Sequence, residues 1–187
     1  EGVIGSLVRE AAEIRKQGGG KNDILEVFRS SPNFWYKGKK GTTYRAIYSG
    51  FGTEELAVKY CPVPSVKSVQ DNGVVEIMRG CPNGCRFCHA GYYYRPKREK
   101  SFSLIEKEVE TLVFGSGYRE ITLSSLSSGD YSRIAELAER LGRKYSGSGV
   151  SFSLPSLRIN SFTLPLLTSV SLVRKSGLTF AVETPDP

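Results

Sequence analysis

Three thiols crowd into eight residues of this 187-residue chain. Cys81, Cys85 and Cys88 stand at C-x3-C-x2-C spacing within E-I-M-R-G-C-P-N-G-C-R-F-C-H-A, Glu76 to Ala90. A buried structural cysteine is usually solitary, whereas several thiols in one tight loop converge on a point and suit a metal or a cluster. Any fold of this chain must bring that loop back on itself. Zinc would take a fourth ligand from Cys61, twenty residues upstream, or from His89 in its place. A cluster with four corner irons accepts four thiolates, so three cysteines leave one iron open, and an open position marks the place of chemistry. Disulfides rank below both, because nothing at the N-terminus reads as a signal peptide.

An apolar run, Val74 to Met78, precedes the first cysteine, and Phe87 stands just before the last. C-x3-C-x-aromatic-C after a first strand resembles the cluster loop of the radical S-adenosylmethionine (radical SAM) superfamily. The resemblance implies a [4Fe-4S] cluster on Cys81, Cys85 and Cys88, SAM chelated at the open iron through its amino and carboxylate groups, and Phe87 flanking the adenine. In that family one electron from the cluster breaks the sulfur to C5′ bond of SAM and releases a 5′-deoxyadenosyl radical. The family carries a glycine and acid segment after the second strand that receives the SAM amino group. Its counterpart here is Ser127-Ser128-Gly129-Asp130, with serine for the first glycine and aspartate for the acid. A carboxylate facing an ammonium is a charge-assisted pairing, and Gly129 permits close backbone approach. Asp130 before Tyr131 also suits a helix N-cap. Arg158, after the third strand, is expected to meet the SAM carboxylate or substrate, or to be solvated. Glu183, ending the fourth strand, is expected against the SAM ribose or amino acid.

More narrowly, R-G-C-x3-C-R-F-C-x-A-G, Y-R-P-x-R-E, L-S-S-G-D-Y and S-L-P-S-L-R are similar to radical SAM proteins that carry a cobalamin-binding-type domain before the barrel. That resemblance covers Val74 to Glu183. It makes residues 1–72 the tail of a preceding domain with its linker, and 73–187 the N-terminal part of the radical SAM core. No D-x-H-x-x-G signature occurs in the sequence, so cobalamin would enter only through a preceding domain outside this chain.

Periodicity supplies an α/β fold class. Glu1 to Gln17 repeats apolar residues every three to four positions and predicts an amphipathic helix, stopped by Gly18-Gly19-Gly20. Asp23 to Phe28 reads as a short helix capped by Asn22. Ser30 to Gly50 interleaves Phe34, Trp35, Tyr36, Tyr44 and Tyr48 with lysines and Arg45, which predicts a hairpin turning at Gly38 and Gly41. Phe51 to Asn72 is a connector holding Pro62, Pro64 and Cys61. Then helices at Phe102 to Phe114, Tyr131 to Tyr145 and Leu164 to Lys175 alternate with strands at Glu120 to Ser124, Val150 to Leu154 and Leu178 to Glu183. Such alternation means parallel strands with crossover helices and a site at the strands' carboxyl ends. The resemblance implies that these units form a partial (β/α) barrel of radical SAM type, incomplete here with about four β/α units, preceded by a small helical and hairpin region. The lack of an initiator methionine and the close at Pro187 lead us to expect a piece of a longer protein, inactive when isolated.

The formal charge of +7 suits a polyanionic partner or a generally basic surface, since the charges are scattered. Arg95, Lys97, Arg98 and Lys100 are expected to form a solvated basic loop. No apolar run reaches the length of a membrane span. The reading is a cytoplasmic, oxygen-sensitive oxidoreductase or transferase of radical SAM type. Its expected partners are a flavodoxin- or ferredoxin-like electron donor and an unknown substrate, RNA among the candidates. The second reading is a non-enzymatic zinc module binding nucleic acid through its basic surface.

Overall fold

A computed structural model describes residues 1–53, 65–66 and 68–158. They belong to two compact units, Glu1–Gly50 and a second beginning at Phe51. Phe51 is buried in the second unit, its ring centroid 4.5 Å from the Arg79 guanidinium and 5.7 Å from the Lys100 ammonium.

In the first unit, α1 (Val3–Lys16) ends as the glycine run predicts. Gly18 takes a left-handed φ of 84°, its N–H donates to Arg15 O at 3.1 Å, and Gly19 N–H donates to Ile14 O at 2.8 Å, a Schellman closure. Helix α2 (Lys21–Ser30) starts earlier than expected. Its cap is Gly20, not Asn22, because the Asp23 carboxylate reaches back to the Gly20 N–H at 2.7 Å. The expected hairpin is absent: residues 31–50 form no strand. Lys39 Nζ instead binds the carbonyls of Ser31 and Phe34, at 3.1 and 2.7 Å, which a strand partner would otherwise take.

The second unit is built on a parallel sheet of β1 (Gly73–Glu76), β4 (Glu120–Ser124) and β5 (Ser151–Ser153), in that spatial order. Val74 lies opposite Thr122, and Thr122 opposite Ser153. The other face of each strand supplies the core. Val75, Ile121, Leu123 and Phe152 pack with Ile105 and Val109 of α4 (Phe102–Glu110) and with Leu137 and Leu141 of α5 (Ile134–Tyr145). Burying each such side chain is worth about 1.5–3 kcal/mol. This is the α/β class that the alternating pattern predicts, as part of a β/α fold. Gly73 leaves room for its neighbours in the row: a Cβ there would meet Ile121 Cδ1 at 2.7 Å and displace that side chain's end.

The predicted strand Val74 to Met78 divides in two. Ile77 N–H still donates to Ser124 O at 2.9 Å, but Ile77 O accepts from Lys100 N. The chain thus changes partner at Ile77, leaving the sheet for an antiparallel ribbon of β2 (Met78–Arg79) with β3 (Arg98–Glu99). Helix α4 runs on through a wider π turn over Thr111–Gly115. Helix α5 begins three residues later than predicted, because the Tyr131 ring is buried and its hydroxyl donates to Lys100 O at 2.8 Å. The helix expected over Leu164 to Lys175, the strand ending at Glu183, and Cys61 lie outside the described residues. No helix among the described residues is long and apolar enough to cross a membrane.

Candidate cofactor site at the carboxyl edge of the sheet

Parallel strands deliver their following loops to one edge, and that edge is where β/α folds carry their sites. Three loops meet there: the cysteine loop after β2, the turn after β4, and the segment after β5. The cysteine loop is pinched shut at its base. Gly80 leaves β2 at φ +82°, and a Cβ on it would lie 2.6 Å from both Tyr94 O and Pro96 O. No residue with a side chain fits, so the R-G-C run is a closure requirement as well as a motif.

Within the loop Cys81 is buried, while Cys85 and Cys88 are half-buried, and all three are free thiols. Cys88 caps the short helix α3 (His89–Tyr93): its Sγ accepts from Gly91 N–H at 3.3 Å. Cys81 Sγ accepts from Asn83 Nδ2 at 3.4 Å. Among the described residues, no three histidine, cysteine or carboxylate side chains are gathered to hold a single metal ion. Phe87 is 70% exposed beside these sulfurs. His89 is exposed, its ring 5.5 Å from that of Tyr93.

The turn after β4 brings Asp130 against the loop. One of its carboxylate oxygens, Oδ2, accepts from Asn83 Nδ2 at 2.5 Å and from Ser127 Oγ at 2.6 Å, while its backbone carbonyl accepts from Lys97 Nζ at 2.9 Å. Asp130 is therefore not the cap of α5. Its residue forms a separate 3-10 turn, Ser128–Asp130, and the N-cap position falls to Arg133. Ser128 is fully buried, and its hydroxyl donates to Leu123 O at 3.1 Å, which fixes the turn to the strand end. Gly129 lies inside the turn. From the loop after β5, Arg158 donates through Nη1 to Asn83 Oδ1. The structure thus brings Cys81, Asp130 and Arg158 around one amide, while Glu183 lies outside the described residues.

The basic loop departs from expectation. Lys100 is 2% exposed, and its ammonium donates to both carboxylate oxygens of Glu108 at 2.8 and 2.7 Å. Lys97 pairs with Glu99 at 2.7 Å. Arg95 lies over the Tyr92 ring at 4.6 Å and donates to Asn83 O at 3.1 Å. Lys97 and Lys100 are thus held by carboxylates, while Arg95 stays exposed and braces the cysteine loop through the Asn83 carbonyl. Arg79 forks onto Glu76 through Nε at 2.9 Å and Nη2 at 2.5 Å. Burial pushes the Glu99 carboxyl up, but hydrogen bonds from Lys97 and from the Ser132 hydroxyl and amide outweigh it and leave the group below its ordinary value.

Sequence reasoning missed Asn83. The available signal was the Asn83-Gly84 pair, a strong turn dipeptide, between the first two cysteines. Lys97 was missed for a different reason: a lysine in a charged run carries no mark of the carbonyl it will meet.

The chain is 29% identical over 119 residues to a tRNA-2-methylthio-N(6)-dimethylallyladenosine synthase of Chlorobium phaeobacteroides, covering 60% of this chain and 26% of that protein. It is 36% identical over 92 residues to the protein of the same name from Clostridium tetani, covering 49% of this chain and 20% of that one. An uncharacterized protein of Methanocaldococcus jannaschii is 31% identical over 124 residues, 66% of this chain and 26% of its own length. The chain thus spans about a quarter of the length of these curated relatives. Residues 75–187, which take in the cysteine loop and every strand of the parallel sheet save its first two residues, match the family described as the Radical SAM superfamily, and to that family the chain belongs.

Proposed function

We propose that this chain is the cluster-bearing part of a radical SAM enzyme whose substrate is an RNA. The observation that carries the cofactor assignment is the meeting of the cysteine loop with Asp130 and Arg158 at the carboxyl edge of the sheet. Cys81, Cys85 and Cys88 would hold a [4Fe-4S] cluster. The residues present suit it: three unpaired thiols in one loop, two of them already accepting N–H groups of the kind that tune cluster sulfurs. When bound, the cluster supplies one electron to the sulfonium of SAM, giving methionine and a 5′-deoxyadenosyl radical.

The chain's own residues would do the rest. Asp130 would receive the SAM ammonium, Arg158 its carboxylate, and the exposed Phe87 would lie along the adenine. Ser128 and Gly129 would shape the turn that presents Asp130. Glu183 would act on the ribose or amino acid of SAM. A flavodoxin- or ferredoxin-like protein would deliver the electron in a reducing cytoplasm. The RNA assignment, and with it transferase chemistry, draws on the tRNA named for the relatives and on the +7 charge.

Anaerobic reconstitution of the full-length protein tests the cofactor assignment. Brown protein with iron and sulfide, releasing 5′-deoxyadenosine from SAM under a strong reductant, is the expected result; colourless protein with stoichiometric zinc would favour the zinc module instead. Cys85→Ala should abolish iron binding and Cys61→Ala should not. Nucleoside mass spectrometry of tRNA from cells lacking the protein tests the substrate, and an unchanged nucleoside profile would remove RNA.

A further inference from the structure

Asn83 lies in the cysteine loop between Cys81 and Cys85, and nothing in the reading above gives it a part. Its side-chain amide touches three separate pieces of the site. Nδ2 donates to Asp130 Oδ2 at 2.5 Å and to Cys81 Sγ at 3.4 Å, and Oδ1 accepts from Arg158 Nη1. An amide offers two N–H donors and one carbonyl, so these partners employ both hydrogens and the oxygen. The residue is also held from its backbone, where the carbonyl accepts from Arg95 Nη2 at 3.1 Å. Its side chain is therefore fixed at the point where the loops after β2, β4 and β5 meet.

The polarity of the amide matches its surroundings. Its N–H end faces a sulfur and a carboxylate, and its oxygen faces a guanidinium. Aspartate here would set a negative charge against Asp130 and the thiolate, and leucine would withdraw two donors and an acceptor together. Among the described residues, the Asn83 amide joins a cysteine sulfur, the acid turn and the arginine after β5 through one side chain.

We propose that Asn83 is a positioning residue that couples the cluster to the SAM amino-acid pocket: one N–H bonds a cluster thiolate and the other bonds the carboxylate that receives the ligand. The inference rests on the cofactor assignment above. Hydrogen bonds to cluster sulfurs are among the factors that set reduction potential. Because both bonds leave one nitrogen, a change at the Asp130 carboxylate alters the amide's bond to sulfur. The sulfur and the ligand pocket are thereby linked through a single planar group, without any movement of the backbone.

The test is a double-mutant cycle on the full-length, cluster-loaded protein, read as the midpoint potential of the cluster by spectroscopic titration and as SAM affinity by equilibrium binding. Asn83→Leu should lower the potential of the SAM-free cluster, by removing an N–H donor from sulfur, and should weaken SAM binding about tenfold, the effect of losing a hydrogen bond to a charged group. Asp130→Asn changes the potential as well, and its effect should differ between the wild-type and the Asn83→Leu backgrounds. Asn83→Gln, which keeps the amide, should recover part of both losses. If Asn83→Leu takes up no cluster, Asn83→Ser, too short to span both partners, enters the same cycle with the same expectations.

Additive potentials, or an Asn83→Leu protein with wild-type potential and affinity, would overturn the role of Asn83 while leaving the cofactor assignment intact. A wild-type protein that takes no cluster or binds no SAM would overturn that assignment, and the coupling with it.

Discussion

Lys97 Nζ lies 2.9 Å from the backbone carbonyl oxygen of Asp130 and 2.7 Å from Glu99 Oε1, so a single ammonium fastens the acid turn to the ribbon that closes the cysteine loop. The two residues are 33 positions apart in the chain. Lys97→Met keeps the methylene stem and removes the ammonium. The pair is partly solvated, at 30% and 23% side-chain exposure, so the stability cost should be only about 1 kcal/mol. The larger effect should fall on the turn: SAM affinity reduced severalfold with iron content unchanged, measured by equilibrium binding to the reconstituted protein. Wild-type affinity in this variant would show that the turn holds its place without Lys97.

Gly80→Ala addresses the base of the same loop. The substitution meets two costs at once, a left-handed φ of +82° and a methyl group 2.6 Å from two carbonyl oxygens. Backbone strain of this kind costs on the order of 1–3 kcal/mol, and the contact adds to it. Relief requires β2 and β3 to separate, which spreads the ends of the loop. Gly80→Ala should therefore lose most of its iron and melt several degrees below wild type. Full iron content by elemental analysis would mean that the loop closes without the ribbon.

Glu99 should make stability depend on acid pH. Its carboxyl is lowered by Lys97 and Ser132 against the opposing effect of burial. The unfolded chain therefore binds a proton at a higher pH than the folded one. The stabilisation is complete above the unfolded carboxylate value and is lost as pH falls through the lower folded value. Melting temperature measured from pH 6 down to pH 3 should fall less steeply for Glu99→Gln than for wild type. Parallel curves would place the acid sensitivity elsewhere.

How much of this could be read from the residues alone depended on what kind of physics set each feature. Strand β4 falls at Glu120–Ser124 as predicted, because Ile121 and Leu123 alternate with polar neighbours and one face is buried. The glycine stop after α1 was legible because a Schellman closure needs only local geometry. The division of the first predicted strand at Ile77 was not, since it arises when Lys100, 23 positions later, takes over its carbonyl. The same long-range cause hid the late start of α5, where Tyr131 is drawn to the Lys100 carbonyl before the helix can begin. At the site, the cysteines announce themselves by spacing and Asp130 by its neighbours in sequence. Asn83 and Lys97 meet Asp130 and Arg158 across 33 to 75 positions, and no local pattern encodes such a meeting.

Lys100 and Glu108 offer the sharpest test of the packing beneath the site. The lysine is 2% exposed, its ammonium bonds both carboxylate oxygens, and it stands 5.7 Å from the Phe51 ring centroid. Its backbone is bonded at both ends, the N–H to Ile77 O at 2.9 Å and the carbonyl to the Tyr131 hydroxyl at 2.8 Å. Lys100→Met removes one partner and leaves the Glu108 carboxylate facing an apolar neighbour. Breaking a buried pair from one side costs about 3–5 kcal/mol, and the partial exposure of Glu108, 21%, places this case near the lower figure. The Lys100→Met, Glu108→Met double variant leaves no unpaired charge and should recover most of that loss, since an apolar pair of similar volume is often no less stable than a buried ion pair. Urea unfolding of the three proteins measures the differences. A double variant as unstable as Lys100→Met would show that the pair holds the cysteine loop's base by its hydrogen-bond geometry, a role that apolar packing cannot replace.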